Sequence, residues 1–116
     1  MNIEEARVVA LQHKGVTEEL FAERWISFRI EGKWFMLIEL DTPEPRIVVK
    51  LAPQHGLNLR AQYDGIRPAY HMNKKHWNDI YLDLVPSQLV TDCIAESYQL
   101  VVQSLPKKTR MLLQES

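Results

Sequence analysis

The run Trp25-Ile26-Ser27-Phe28-Arg29-Ile30-Glu31, then Gly32, then Lys33-Trp34-Phe35-Met36-Leu37-Ile38-Glu39-Leu40, carries the strongest architectural signal in the chain. Ile26, Phe28 and Ile30 recur at every second residue, the period of a half-buried strand. Gly32 supplies a turn. The second run is apolar on both faces near its middle, so the pair reads as a β-hairpin. Working outward, Thr42-Pro43-Glu44-Pro45 reads as a loop, because proline cannot donate to a strand ladder. Arg46-Ile47-Val48-Val49-Lys50-Leu51 alternates again, with Ile47, Val49 and Leu51 inward.

Upstream, Asn2 is a plausible N-cap for a first helix, with Glu4 and Glu5 where the helix dipole favours acids. Ile3, Ala6, Ala10 and His13 recur at helical spacing and Gly15 marks the stop. Residues 16–24 read as acidic and irregular, with one helical turn at most. Downstream, a short helix is expected over 53–63 with Pro53 in its first turn, ended by Asp64-Gly65. Residues 66–76 read as an ordered loop, and a strand is expected from Trp77 to Asp83. Between Pro86 and Pro106, the residues Leu89, Val90, Cys93, Ile94, Tyr98, Val101 and Leu105 form a wide apolar stripe on a long helix. The expected order is α-β-β-β-α-β-α. This is an α+β fold, an antiparallel sheet with helices packed on one face.

If helices cover Ile26, Phe28, Ile30, Ile47, Val49 and Leu51, the opposite face carries Trp25, Arg29, Arg46, Val48 and Lys50. Three cations beside a tryptophan could meet phosphate and base. Alternatively, Glu31, Glu39 and Asp83 pair with them across strands.

The 116 residues suit one domain over residues 1–116, 46% hydrophobic and 25% charged, which is ordinary globular composition. The longest apolar run, Trp34 to Ile38, is far below the roughly 20 residues of a membrane span. The opening Met1-Asn2-Ile3-Glu4-Glu5 is not a signal segment. A single cysteine, Cys93, excludes a disulfide framework and a Cys-rich metal site. A cytoplasmic, monomeric protein without a membrane segment is the expectation.

Net charge is -1, yet residues 46–78 hold six bases and one acid, whereas residues 79–105 hold four acids and no base. Grouped cations raise the local potential for an anionic partner, unless folding interleaves them with the acidic flanks.

Within that basic block lies Arg67-Pro68-Ala69-Tyr70-His71-Met72-Asn73-Lys74-Lys75-His76-Trp77. Lys and Arg suit phosphate, Tyr and Trp can stack on bases, and Asn73 offers the paired donor and acceptor of base-edge reading. Against this, Trp77 could anchor a strand, Tyr70 and Asn73 could satisfy buried backbone, and Arg67 could clamp a carboxylate such as Asp83. Lys74 and Lys75 are hard to bury unpaired and are expected on the surface.

This segment resembles the signature of the MmcQ/YjbR family of small bacterial proteins. The signature is Arg67-Pro68, followed by His71-Met72-Asn73-Lys74-Lys75-His76-Trp77. The likeness continues through Ile80-Tyr81-Leu82-Asp83, Val85-Pro86, Glu96-Ser97-Tyr98 and Leu105-Pro106-Lys107-Lys108, with Gly15-Val16-Thr17-Glu18-Glu19 matching upstream. Leu84 stands where a glycine often follows the Leu-Asp pair. The resemblance implies a CyaY/frataxin-like α+β sandwich and a proposed double-wing mode of DNA binding.

Three functions follow as expectations. The first is a double-stranded DNA-binding protein. The resemblance supplies His71, Asn73, Lys74, Lys75 and His76 as its site, and the strand alternation adds Arg29, Arg46 and Lys50. Arg67, Pro68, Tyr70 and Trp77 are then structural. Unperturbed histidine charges below about pH 6.5, so His71 and His76 predict stronger anion binding in acid. The second is a protein-interaction domain whose exposed aromatics serve as anchors. The third is a frataxin-like metal-binding protein using Glu4, Glu5, Glu18 and Glu19. His71 and His76 lack the i, i+4 spacing of a helical zinc pair, and no nucleophile-base signature or glycine-rich phosphate loop is present. No catalytic residue, metal site or cofactor is therefore assigned, and an enzyme is not expected.

Overall fold

In a computed structural model of the chain, which describes residues 1–70 and 72–114, Glu31 and Gly32 both take positive φ, 50° and 78°. Two such residues make a tight hairpin turn whose twist matches the flanking strands. The full order is α1 (Ile3–Leu11), β1 (Val16–Phe21), β2 (Trp25–Ile30), β3 (Lys33–Glu39), β4 (Arg46–Lys50), α2 (Pro53–Gln62), β5 (Ile66–Pro68), β6 (Trp77–Tyr81), α3 (Ser87–Gln103) and α4 (Lys107–Gln114). The six strands form one antiparallel sheet in the order β1-β2-β3-β4-β6-β5. The expected α+β architecture is present, with β1, β5 and α4 added to it.

The added strand β1 replaces the irregular segment expected at 16–24. Its acids are tolerated because it is an edge strand, where charge is normal, and because two arginines meet them. Arg7 of α1 forks onto Glu18, with Nε 2.8 Å from Oε2, and Arg29 reaches Glu19 at 3.2 Å. β5 is three residues long and ends in Pro68, which an edge strand permits.

The main core lies between the sheet and the helices. Phe28, Ile30, Met36, Ile38, Ile47, Val49 and Ile80 face α1 and α3. The hairpin register slips once: Phe28 faces Met36 but Arg29 faces Trp34, so Phe35 is an extra residue. This bulge sends both Phe35 and Met36 into the main core and leaves Trp34 and Leu37 on the opposite face.

The bulge is held by α3. The Ser97 hydroxyl donates to the Phe35 carbonyl and accepts from the Lys50 N–H at 2.8 Å. Its neighbours act similarly. Glu96 accepts from the Ala52 N–H at 3.0 Å, capping an α2 that has no capping side chain of its own. The Tyr98 hydroxyl donates to the Lys14 carbonyl at 2.6 Å. Glu96-Ser97-Tyr98 thus ties one helix to three other parts of the chain.

Candidate functional site

Along β2, β4 and β6, alternation turns Trp25, Ser27, Arg29, Arg46, Val48, Lys50, Trp77, Asp79 and Tyr81 to the face opposite the helices. The centre of that face is not bare. Leu37, Val48 and Ala69 are buried there, packed against Trp25, Trp34, Met72 and Trp77. The segment after β5 makes this second, smaller core: the Ala69 N–H donates to the Trp77 carbonyl at 3.0 Å, which brings Ala69 and Met72 over the sheet.

The arginines expected to meet phosphate on this face are already neutralised. Arg46 is only 15% exposed and bonds Glu39 at 2.5 Å, with Asp79 at 3.5 Å and the Tyr81 hydroxyl at 3.2 Å. Burial opposes its charge, but the bonds to Tyr81 and Glu39 and the nearby Asp79 carboxylate outweigh that and raise its pKa. Arg29 bonds Ser27 and Glu19 and lies 5.8 Å from the Trp34 ring. Cross-strand pairing therefore prevails for both, with Glu39, Glu19 and Asp79 as partners instead of Glu31 or Asp83. Arg67 does not clamp Asp83 either. Its Nε donates to the Asp64 carbonyl at 2.8 Å and its guanidinium lies 4.6 Å from the Tyr81 ring.

A different set of cations converges. Lys50 is the register partner of Trp77, and the Leu51 N–H donates to the His76 carbonyl at 2.8 Å, so the end of β4 lies against the turn before β6. Asn73 builds that turn. Its side-chain oxygen accepts from the Lys75 N–H at 2.9 Å and its carbonyl accepts from the Trp77 N–H at 2.9 Å. That oxygen is engaged by the backbone, as in an Asx turn, not directed at a base. Arg60 of α2 clamps the turn from behind, donating to the Lys74 carbonyl at 2.6 Å and to the buried Asn78 at 2.7 Å. Lys50, Arg60, Lys74 and Lys75 thus gather at one end of the sheet. The ion pairs among the described residues involve Arg7, Arg29, Arg46 and His55, and none of these four.

Of the remaining motif residues, His76 is half-buried beside the turn and Trp77 packs in the small core. Pro68 is exposed on the edge. Tyr70 is 74% exposed, so it is not the buried anchor that a structural role implies. His71 lies outside the described residues.

The acids expected for a metal have other work. Glu5 closes a capping box with Asn2, while Glu18 and Glu19 pair with arginines. Among the described residues no group of three or more His, Cys, Asp or Glu is placed to hold an ion. Cys93 is buried, and burial, aided by Glu96 and Asp92, pushes its thiol up to about 12, far from a reactive thiolate. No helix among the described residues is long and apolar enough to cross a membrane.

Beside the small core a cavity of about 230 Å³ opens on the sheet face, lined by Phe21, Trp25, Trp34, Met72 and Asp79 over Leu37 and Val48. Phe21 meets Trp34 edge-on at 4.9 Å.

The basic turn, its arginine clamp and the tryptophan after it are built from the residues that match a known family model, YjbR, over residues 11–100. The chain belongs to the YjbR family. It is 39% identical over 89 residues to the uncharacterized protein YbdF of Escherichia coli O157:H7, covering 76% of this chain and 73% of YbdF. It is 33% identical over 88 residues to the uncharacterized protein YjbR of Escherichia coli K12, covering 75% of each. Among solved structures, the Deinococcus radiodurans protein DR2400, with a domain named DUF419, superposes with a TM-score of 0.90. The two are 28% identical, over 97% of this chain and 87% of that one. A Pseudomonas syringae protein superposes with a TM-score of 0.74 at 26% identity, over 86% of this chain and 98% of its own.

For this YjbR domain, sequence reasoning missed Arg60, Asp79 and the cavity wall of Phe21, Trp34 and Met72. Extending the strand alternation through Trp77, Asp79 and Tyr81 would have found Asp79. Trp34 was hidden by the bulge, which breaks the period of two.

Proposed function

We propose that this YjbR domain binds double-stranded DNA through the basic end of its sheet, with Lys50, Arg60, Lys74 and Lys75 on the phosphates. The observation that carries this reading is the convergence of four cations, none in an ion pair among the described residues, in a protein of net charge -1. Lys74 and Lys75 are exposed on the turn, with Lys50 and Arg60 half-buried beside it, and cations outside ion pairs are what phosphate contacts require; such contacts position a protein without reading sequence. Arg29 and Arg46 take no part, because their charges are satisfied internally. His76 borders the patch.

Fluorescence anisotropy with a labelled duplex at several salt concentrations tests the proposal. Four phosphate contacts give a log–log salt slope of about -3.6. The Lys74→Glu/Lys75→Glu variant is expected to abolish measurable binding. No binding at low salt, or an unchanged variant, would refute the reading.

A protein-interaction role is the second reading. It is favoured by Leu20, 72% exposed on β1, an edge strand of the sheet among the described residues. Such an edge can accept a strand from a partner. Salt-insensitive capture of one stoichiometric partner, lost in Leu20→Lys, would favour it over DNA.

A further inference from the structure

Charge sorts by the two ends of the sheet. Antiparallel pairing brings the starts of β1, β3 and β6 to the same end as the finishes of β2, β4 and β5. The turns and strand ends there hold Lys14, Lys33, Lys50, Lys74 and Lys75 against one acid, Glu31. The connections at the other end, residues 22–24, 40–45, 63–65 and 82–86, hold five acids and one base. The long α3 returns to the basic end, where its C-cap Ser104 accepts from the Lys33 Nζ at 3.4 Å. α4 follows and adds Lys107, Lys108 and Arg110.

α4 is pinned along one side. The Lys14 ammonium donates to the Leu112 carbonyl at 3.2 Å, and Arg110 donates to the Gln103 side chain at 3.4 Å. Leu113 packs on the core beside Gly15, where a Cβ would stand 2.7 Å from its Cδ2. At 3.6 residues per turn, Lys107, Met111, Lys108 and Leu112 share an arc of about 140° on the other side. All four are exposed, Met111 by 53% and Leu112 by 58%. The first turn of that arc is basic and the second is apolar. Lys33 lies near its basic part, and none of Lys33, Lys107 and Lys108 is in an ion pair among the described residues.

Candidate covers for this face make different demands. Phosphates alone would use the lysines and leave Met111 and Leu112 in water. A second copy would offer the lysines no acid, because the four residues of the face include none. An anionic bilayer satisfies both halves. Lysine ammoniums stay at the headgroups while their stems lie along apolar surface, and Met and Leu side chains enter the acyl boundary. We propose that the outer face of α4, together with Lys33, docks on an anionic lipid surface. The second turn of α4 dips into the bilayer, and the acidic end of the sheet points away from it. The contact is separate from the one proposed for DNA and does not rest on it.

Co-sedimentation with phosphatidylcholine vesicles containing phosphatidylglycerol, compared with pure phosphatidylcholine, tests the proposal. The protein is expected to pellet with the anionic vesicles at low salt and not with the neutral ones. Each lysine near such a surface is worth roughly fivefold in partitioning, so Lys107→Gln/Lys108→Gln should weaken binding about 25-fold. Met111→Gln/Leu112→Gln should weaken it about tenfold at unchanged charge, while leaving the affinity for a labelled duplex as in the wild type. No sedimentation with anionic vesicles at low salt would overturn the proposal, as would equal sedimentation with both compositions or wild-type binding by both α4 variants. A dimer in analytical ultracentrifugation that Met111→Gln/Leu112→Gln dissolves, without vesicle binding, would assign the face to a second copy instead. Loss of duplex binding in Lys107→Gln/Lys108→Gln with vesicle binding intact would assign those lysines to DNA and overturn the lipid contact.

Discussion

Ser97 does more than its size suggests. It is fully buried, and its one hydroxyl serves the Phe35 carbonyl and the Lys50 N–H. Removing it leaves two buried backbone groups unpaired, which costs about 1–3 kcal/mol for each group not rescued by water. Ser97→Ala is therefore expected to lower the midpoint of urea unfolding clearly, whereas Ser87→Ala, at the exposed start of α3, should change it little. His13 makes the second prediction at this scale. It stacks on Tyr98 at 4.6 Å, and burial lowers its pKa below the ordinary value. The unfolded chain then binds more protons between the lowered pKa and about 6.5, so stability rises with pH across that window and is complete above it. Acidification below about pH 6.5 should destabilise the protein, and His13→Phe should remove that part of the pH dependence. Equal pH profiles for the two proteins in urea titrations would contradict this.

At the scale of elements, the hairpin, β4, α2 and α3 were legible because each has its own local signal: alternation, a turn glycine, Pro53 at a helix start, an apolar stripe between two prolines. β1 was not legible, since Glu18 and Glu19 read as loop until Arg7 and Arg29 are placed opposite them. That information is tertiary. The α4 helix was hidden for a similar reason, having no buried residue of its own. The junction between α2 and β5 carries a prediction. A Cβ on Gly65 would lie 2.7 Å from the Leu84 Cβ and 2.8 Å from Val85. Gly65 therefore closes tightly against Leu84 and Val85 at the β6–α3 corner. Gly65→Ala should destabilise by about 1–3 kcal/mol through overpacking, and adding Leu84→Gly should recover part of the loss, as thermal melts of the single and double variants would reveal.

For the whole molecule, the linear charge map was half right. Residues 46–78 do hold the cations that converge, but the block stops one residue short of Asp79, and folding lays that acid beside Arg46. The open sheet face is consequently a neutralised surface with an aromatic recess, while the positive footprint moves to its end. Arg60 joins that footprint from α2 although it lies some distance in sequence from the lysine pair. Strand alternation could place Arg29, Arg46 and Lys50 on one face, yet it could not say which of them would be paired.

The central claim is that Lys50, Lys74 and Lys75, with Arg60 behind them, form the anionic-ligand footprint, and that Arg29 and Arg46 do not. The salt dependence of DNA binding counts the contacts directly. Compared with the wild type, Lys50→Gln/Lys74→Gln/Lys75→Gln should flatten the log–log slope by roughly 2.7, from the loss of three phosphate contacts, while Arg29→Gln should leave it unchanged. A slope that survives the triple substitution but falls in Arg29→Gln would contradict the account.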